Sequence, residues 1–133
     1  MPIFLLIGWI IAVIPNPQFL GNLSNEKLEL ISYAKSQAEN YSVNAEKFIR
    51  LIYCESRFDK LAKGDYRSET DTYMARGLLQ FWKGTFQNYS RTNNYKGNYL
   101  NPYDQINLSL IMITNNVDAL YHWKTCSKKA GFL

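Results

Sequence analysis

The sequence predicts a mainly α-helical domain, an α+β fold with at most a small β-hairpin, preceded by an apolar N-terminal segment. Several stretches repeat apolar residues at helical spacing after good capping residues, one polar stretch holds β-tolerant Thr and Tyr residues, and the first 25 residues carry no charge. With 133 residues, 47% of them apolar and 20% charged, the chain suits one globular domain with a modest core.

Residues 3–14 (IFLLIGWIIAVI) form a run of twelve apolar residues, closed by Pro15 and Pro17. The run is shorter than the roughly 20 residues of a membrane span and has the length of the apolar part of a signal sequence. No Lys or Arg precedes it, and no A-x-A-like cleavage site follows it. We expect residues 1–23 to be an export or membrane-anchor segment with a linker, which would place the domain, residues 24–133, in the cell envelope or outside the cell. A buried N-terminal helix is the alternative.

The first two predicted helices have clear starting signals. Ser24 is a suitable N-cap for a helix over residues 25–40, and a second helix is expected from Asn44 to about Arg57. On a helical wheel the second helix has an apolar face with Ala45, Phe48, Leu51 and Ile52, and an opposite charged face with Glu46, Lys47, Arg50 and Arg57. Glu55 is the exception, because it falls on the apolar face.

The rest of the chain predicts one β element and one central helix. Residues 63–75 are polar and are expected to form a loop or a short hairpin, and residues 77–92 look helical in part. After a further loop, Asn101 is a good N-cap and Pro102 suits the first helical position. Residues 106–113 are then apolar on almost every side, which is typical of a helix at the centre of a fold. A shorter helical stretch is expected near the C-terminus.

The charge pattern argues against several kinds of partner. The formal net charge is +4, and the basic residues are scattered apart from Lys124, Lys128 and Lys129. No basic motif is interleaved with aromatic residues, so we expect no nucleic-acid partner. The chain has one histidine, His122, to which we assign no role, and no C-x-x-C pair, so we expect no metal site and no cofactor.

Cys54 and Cys126 are the two cysteines of the chain. In an exported protein such a pair is a candidate disulfide, and closing a loop of about 70 residues would stabilise the fold by roughly 4 kcal/mol. Two free buried thiols are the alternative.

Glu55 lies in surroundings that favour its protonated form. It is near the C-terminus of its predicted helix, where the helix dipole opposes a negative charge, and apolar neighbours would remove its hydration. Both effects raise the pKa of the carboxyl. A carboxylic acid still protonated near neutral pH is what cleavage of a glycosidic bond requires of its general acid. Alternatively, Glu55 reaches water or pairs with an arginine such as Arg76.

Two short segments resemble the lysozyme-like superfamily. In that superfamily an E-S-x-F segment at the end of a helix carries the catalytic glutamate, and a later G-[LI]-[LM]-Q segment forms the floor of the sugar groove. Here these are residues 55–58 (ESRF) and 77–80 (GLLQ), and Ala62 also fits the pattern. The resemblance implies a lysozyme-like helical domain in which Glu55 is the catalytic acid.

Two branches of that superfamily are most similar to the chain. The soluble lytic transglycosylase domain resembles residues 75–80 (ARGLLQ). The resuscitation-promoting factor domain has a Cys before the catalytic Glu, then a Leu-Gln-Phe, a Thr-aromatic pair, a Gln-Ile pair and a final Trp-x-x-Cys. The chain matches these in order at residues 54–56, 79–81, 85–86, 105–106 and 123–126. The resemblance covers about residues 42–127 and implies a disulfide between Cys54 and Cys126.

The resemblance also implies a substrate and its contacts. The substrate would be peptidoglycan glycan strands, cut between N-acetylmuramic acid and N-acetylglucosamine. Gln80 is the expected sugar-contacting amide, and Thr85 is a second candidate. Tyr103 and Trp123 either stack against sugar faces or pack in the core. Two other aromatic residues are expected in the core rather than in the groove, namely Trp82 and Tyr73.

The chain departs from the superfamily in ways that bear on mechanism. In animal c-type lysozymes a second catalytic aspartate precedes the motif glycine by two residues, and here that residue is Ala75. A retaining mechanism would lack its nucleophile, whereas a lytic transglycosylase needs only one acid. Asp65, Glu69 and Asp71 either hold a water, as in goose-type lysozymes, or form a polar loop. The A-Y-N-x-G segment of many transglycosylase domains is missing.

We therefore expect a monomeric peptidoglycan lytic transglycosylase in which Glu55 is the general acid and base. Three alternatives stay open. They are a hydrolytic muramidase acting on the same bond, a non-catalytic cell-wall-binding module, and a small helical interaction protein in which Glu55 is merely paired.

Overall fold

The computed structural model describes residues 23–133, so the expectations for the apolar segment before them lie outside the described residues. The elements are α1 (Asn25–Asn40), α2 (Ala45–Ser56), β1 (Lys63–Arg67), β2 (Thr72–Arg76), β3 (Phe81–Trp82), α3 (Lys83–Thr92), α4 (Pro102–Asn115), a 3₁₀ helix (Val117–Trp123) and α5 (Lys124–Ala130). The predicted mainly α class with a small sheet is confirmed. Within this part of the chain, no helix is both long and apolar enough to cross a membrane.

Helices α1 and α4 begin directly after the predicted capping residues, and α2 begins directly after Asn44, where its start was expected. The Ser24 hydroxyl accepts a hydrogen bond from the backbone N–H of Lys27, and the Asn44 side chain accepts one from Lys47. Asn101 accepts hydrogen bonds from two backbone N–H groups of the first turn of α4. Each cap satisfies N–H groups that a helix start leaves without a partner, so these starts are set by local sequence.

The core is built around α4. This helix packs against α1, α3 and the 3₁₀ helix, while α2 packs against α1 and α5. The fully buried side chains of α4 and α2 include Ile106, Leu108, Leu110, Phe48, Ile49, Leu51 and Ile52. The helix that is apolar on almost every side is therefore central, as its sequence predicts.

The sheet contains the predicted hairpin and a third strand that was not predicted. β1 pairs with β2 in antiparallel register, and β2 pairs with β3 through Ala75–Trp82 and Arg76–Phe81. The helix predicted in part of residues 77–92 begins only at Lys83. The preceding residues form a turn, because Gly77 has φ +82° and Gln80 has φ +49°, conformations incompatible with an α-helix.

A disulfide joins the end of α2 to α5. Cys54 and Cys126 are bonded, with their Cα atoms 5.6 Å apart and a separation of 72 positions along the chain. This is the pairing that the family resemblance implies. It holds the helix that carries Glu55 against the C-terminal helix.

Candidate active site

Glu55 is the second-last residue of α2, and it is half-buried. Among residues 23–133 its carboxyl has neither a hydrogen bond nor an ion pair, so the pairing with Arg76 that the sequence left open does not occur. Burial without a compensating partner raises its pKa from 4.5 to about 7. The group can therefore hold a proton at neutral pH and still release it.

The chain turns sharply just after Glu55. Arg57 and Phe58 both adopt left-handed backbone conformations, with φ values of 53° and 59°. The Ser56 hydroxyl donates to the Ile52 carbonyl, and the Arg57 N–H donates to Tyr53, which closes the last turn of α2. Together with the neighbouring disulfide, these contacts fix the position of the helix end that carries the carboxyl.

Gln80 ties the turn before β3 to the segment that follows Glu55. Its side-chain amide donates to the carbonyl oxygens of Ala62, at 3.2 Å, and Gly77, at 2.9 Å. The Ala62 carbonyl also accepts the Gly77 N–H at 2.9 Å. The amide oxygen of Gln80 lies against Gly64, where the Cβ of any other residue would collide with it. Both amide hydrogens are therefore used in holding the turn, and the oxygen is the atom left for another partner.

Gln105 is a site residue that sequence reasoning missed. Its side chain is fully buried, its oxygen accepts the Leu79 N–H at 2.9 Å, and its nitrogen donates to the carbonyls of Arg76 and Tyr99, each at 3.0 Å. A Cβ on Gly77 would lie 2.5 Å from that nitrogen, so the close approach requires glycine. The signal in the sequence was a glutamine at the start of the largely apolar stretch of α4, matched as part of a Gln-Ile pair.

Three of the predicted site residues share one cavity of about 310 Å³, which is lined by Gln80, Phe81, Trp82, Thr85, His122 and Trp123. Trp123 contributes little exposed surface, since only 4% of it is accessible and its indole N–H donates to the Leu79 carbonyl at 2.7 Å. The structure therefore places this residue in the core, which was one of its two expected locations. Thr85 is half-buried in the first turn of α3.

Tyr103 and Glu55 are not among the residues that line this cavity. Tyr103 lies in the first turn of α4, and its ring meets that of Tyr33 edge to face at 4.9 Å. Gln80, which does line the cavity, donates to the carbonyl of Ala62, seven residues after Glu55 along the chain.

Trp82 and Tyr73 are exposed rather than in the core, so that expectation was wrong. They are 40% and 44% accessible. Directly paired residues of neighbouring strands point to the same face of a sheet, and the Tyr73 ring packs on Tyr66, which pairs with it, at 5.2 Å. The Arg67 guanidinium lies 5.3 Å from the Trp82 ring centre. The Tyr73 ring is therefore stabilised by another ring on the sheet surface, and the Trp82 ring by a cation, rather than by burial in the core.

The acidic residues near the motif glycine already have partners or lie in solvent. Asp65 pairs with Arg67 at 3.2 Å, and Asp71 accepts the Tyr66 hydroxyl at 2.6 Å. Glu69 is exposed in the turn between β1 and β2. Ala75, at the position of the second lysozyme carboxylate, is buried and cannot titrate.

His122 is an exposed residue that borders the cavity. Its Nε2 is 2.7 Å from the Tyr89 hydroxyl, and partial burial lowers its pKa.

Comparison with known proteins identifies the family. The family model described as the transglycosylase SLT domain matches residues 32–127. No curated protein and no solved structure matches the chain. The matched segment contains Glu55, the Gly77–Gln80 turn and Gln105, and members of this family are transglycosylases that act on cell-wall peptidoglycan. The chain therefore belongs to the transglycosylase SLT domain family.

Proposed function

We propose that this protein is a lytic transglycosylase that cleaves the bond between N-acetylmuramic acid and N-acetylglucosamine with Glu55 as its single general acid and base. One observation carries the proposal: Glu55 is a half-buried carboxyl without a partner in the described chain, and its pKa is about 7. Such an acid is about half protonated at neutral pH and largely protonated below it, and its conjugate base is strong enough to take a proton back.

The reaction uses one carboxyl group twice, first as an acid and then as a base. Glu55 donates its proton to the bridging glycosidic oxygen, the bond from the anomeric carbon to that oxygen breaks, and the leaving sugar departs as an alcohol. The positive charge that builds on the anomeric carbon is met by the C6 hydroxyl oxygen of the same muramic sugar. That hydroxyl gives its proton to the Glu55 carboxylate as the new bond forms. The product is a 1,6-anhydro sugar, no water is consumed, and Glu55 is protonated again.

The lack of a second carboxylate supports closure by the internal hydroxyl. Ala75 offers no nucleophile where c-type lysozymes have an aspartate. Asp65 and Asp71 are held by Arg67 and Tyr66, so neither is poised to activate a water. A hydrolase would use the same acid but would deliver a water to the anomeric carbon and leave a reducing end.

We assign the sugar contacts from the cavity beside the Gly77–Gln80 turn. The free oxygen of Gln80 accepts a sugar or acetamido N–H or O–H, and the Thr85 hydroxyl contributes a second hydrogen bond. Trp123 supports the cavity from the core rather than stacking on a sugar. Tyr103, which is exposed and does not line this cavity, is a candidate for stacking further along the glycan strand. The domain, residues 24–133, acts as an exported monomer, and residues 1–23 direct its export or anchor it.

The products of cell-wall digestion test the proposal. Purified wild-type protein is incubated with peptidoglycan, and the soluble fragments are analysed by mass spectrometry. We expect 1,6-anhydro ends from wild type and from Glu46→Gln, an exposed change at the other end of the same helix. Glu55→Gln should release at least about 100-fold less product with an unchanged circular dichroism spectrum.

Each alternative predicts a different result. Reducing ends in place of anhydro ends would assign a hydrolase. Undiminished release of fragments by Glu55→Gln would exclude Glu55 as the acid.

A further inference from the structure

A second and larger groove lies next to the sugar cavity. It encloses about 760 Å³ between β2, the start of α3 and the loop at residues 97–100. Its lining includes Tyr73 and Trp82 of the sheet and Asn98 and Leu100 of the loop. Trp82 also lines the smaller cavity that contains Gln80. The groove and the sugar cavity are therefore neighbours that share this residue.

One strand edge is open along the groove. β3 is only two residues long and pairs with β2 at Ala75 and Arg76 alone. On the side away from β1, the stretch 72–74 has no strand partner in the described part of the chain. An unpaired strand edge presents backbone N–H and C=O groups to which an extended peptide can add.

The groove favours an anionic occupant. Arg76 and Lys83 line it. None of the described residues that line it is acidic. Asp104 already accepts hydrogen bonds from the Tyr95 hydroxyl and the Asn98 N–H of the groove loop. Two cations in a lining without carboxylates attract a ligand that carries carboxylates.

We propose that this groove binds the acidic peptide stem that peptidoglycan carries on its muramic sugar. The inference rests on the proposed function for the identity of the glycan. The stem lies extended along the open edge of β2, its carboxylates contact Arg76 and Lys83, and the muramic sugar to which it is attached occupies the neighbouring cavity beyond Trp82. The enzyme consequently prefers strands that carry stems over bare glycan.

The test compares two substrates and three variants. Glycan strands with intact stems and the same strands stripped of stems by an amidase are digested separately, and the rates of anhydro-product formation are compared. We expect wild type to prefer stem-bearing strands about tenfold, because two charge-assisted contacts contribute about threefold each. Lys83→Gln should reduce this preference about threefold, and Lys83→Arg should restore it. Lys128→Gln, an exposed lysine on α5 outside the groove, should retain the wild-type preference.

The outcomes distinguish a failure of stem binding in the groove from a failure of the proposed catalytic function. Equal rates on both substrates would overturn stem recognition while leaving the transglycosylase assignment intact. If neither substrate yields anhydro ends, binding of a free synthetic stem peptide is measured by NMR titration of the protein. Chemical-shift changes at residues 72–74 and 97–100, weakened about threefold by Lys83→Gln, would support the groove. Their absence would overturn it.

Discussion

Replacing Glu55 by glutamine should remove activity and yet stabilise the protein at neutral and alkaline pH. The pKa of this carboxyl is about 7 in the folded chain, against an ordinary value of 4.5. That difference corresponds to at most about 3 kcal/mol in favour of the protonated form when the chain is folded, and solvent screening at this half-buried group reduces it. Glutamine has nearly the shape of the protonated acid but carries no charge, so it avoids the cost of ionising the site.

The direction of the pH dependence follows from proton uptake. Between pH 4.5 and 7 the folded protein holds a proton on Glu55 that the unfolded chain has already lost. The free energy of unfolding of wild type therefore falls as the pH rises through this window. The Glu55→Gln variant has no carboxyl to ionise at this position, so its free energy of unfolding does not fall for this reason. Relative to wild type, the variant should be close to equally stable at pH 4 and up to about 3 kcal/mol more stable at pH 8.

Urea unfolding with the disulfide intact measures this difference. Tryptophan fluorescence would be followed at pH 4 and pH 8 for wild type, Glu55→Gln and Glu46→Gln. Glu46 is exposed in the first turn of α2, where a negative charge is favourable, so its replacement should cost only a few tenths of a kcal/mol at pH 8. If the stability of Glu55→Gln relative to wild type does not increase between pH 4 and pH 8, the carboxyl is not desolvated and the argument for its raised pKa fails.

Two further predictions concern the acid and the turn beside it. The kcat/KM of wild type should be level below pH about 7 and should fall about tenfold per pH unit above it, since only protonated Glu55 can start the reaction. An increase between pH 7 and 9 in the rate of anhydro-product formation would contradict this role. Gln105→Leu should lower the free energy of unfolding by at least about 3 kcal/mol, because three backbone groups lose their partner, whereas the exposed change Gln87→Leu should cost under about 0.5 kcal/mol. Urea unfolding of both variants measures the difference, and equal losses would show that Gln105 does not hold the turn.

Expectations based on neighbouring residues agreed well with the structure. Helix α1 begins after Ser24 and ends at Asn40, and α4 begins after Asn101, as the capping residues and apolar spacing predict. Glu55 was expected to be desolvated because it lies among apolar residues on its helix, and its pKa is raised for that reason. Its catalytic role stays a prediction.

The sequence was a poorer guide to which aromatic residues are exposed and to which segments pair over a long distance along the chain. Composition suggested a buried location for Trp82 and Tyr73, yet both lie on the exposed face of the small sheet. The third strand was missed because it is two residues long and is defined only by its pairing with β2. A short strand of this kind has no periodic pattern of its own.

The sequence by itself determined the starts of α1, α2 and α4, the central position of α4 and the unusual placement of a carboxyl on an apolar helix face. Those features depend on residues within about four positions of one another, where side chains of one helix meet. Only the tertiary structure decided how the turn at Gly77–Gln80 is held and which groups line the two cavities. The contacts responsible join residues 18 to 44 positions apart, such as Gln80 to Ala62, Gln105 to Leu79 and Trp123 to Leu79. They form because packing brings distant backbone groups to buried donors and acceptors that must be satisfied.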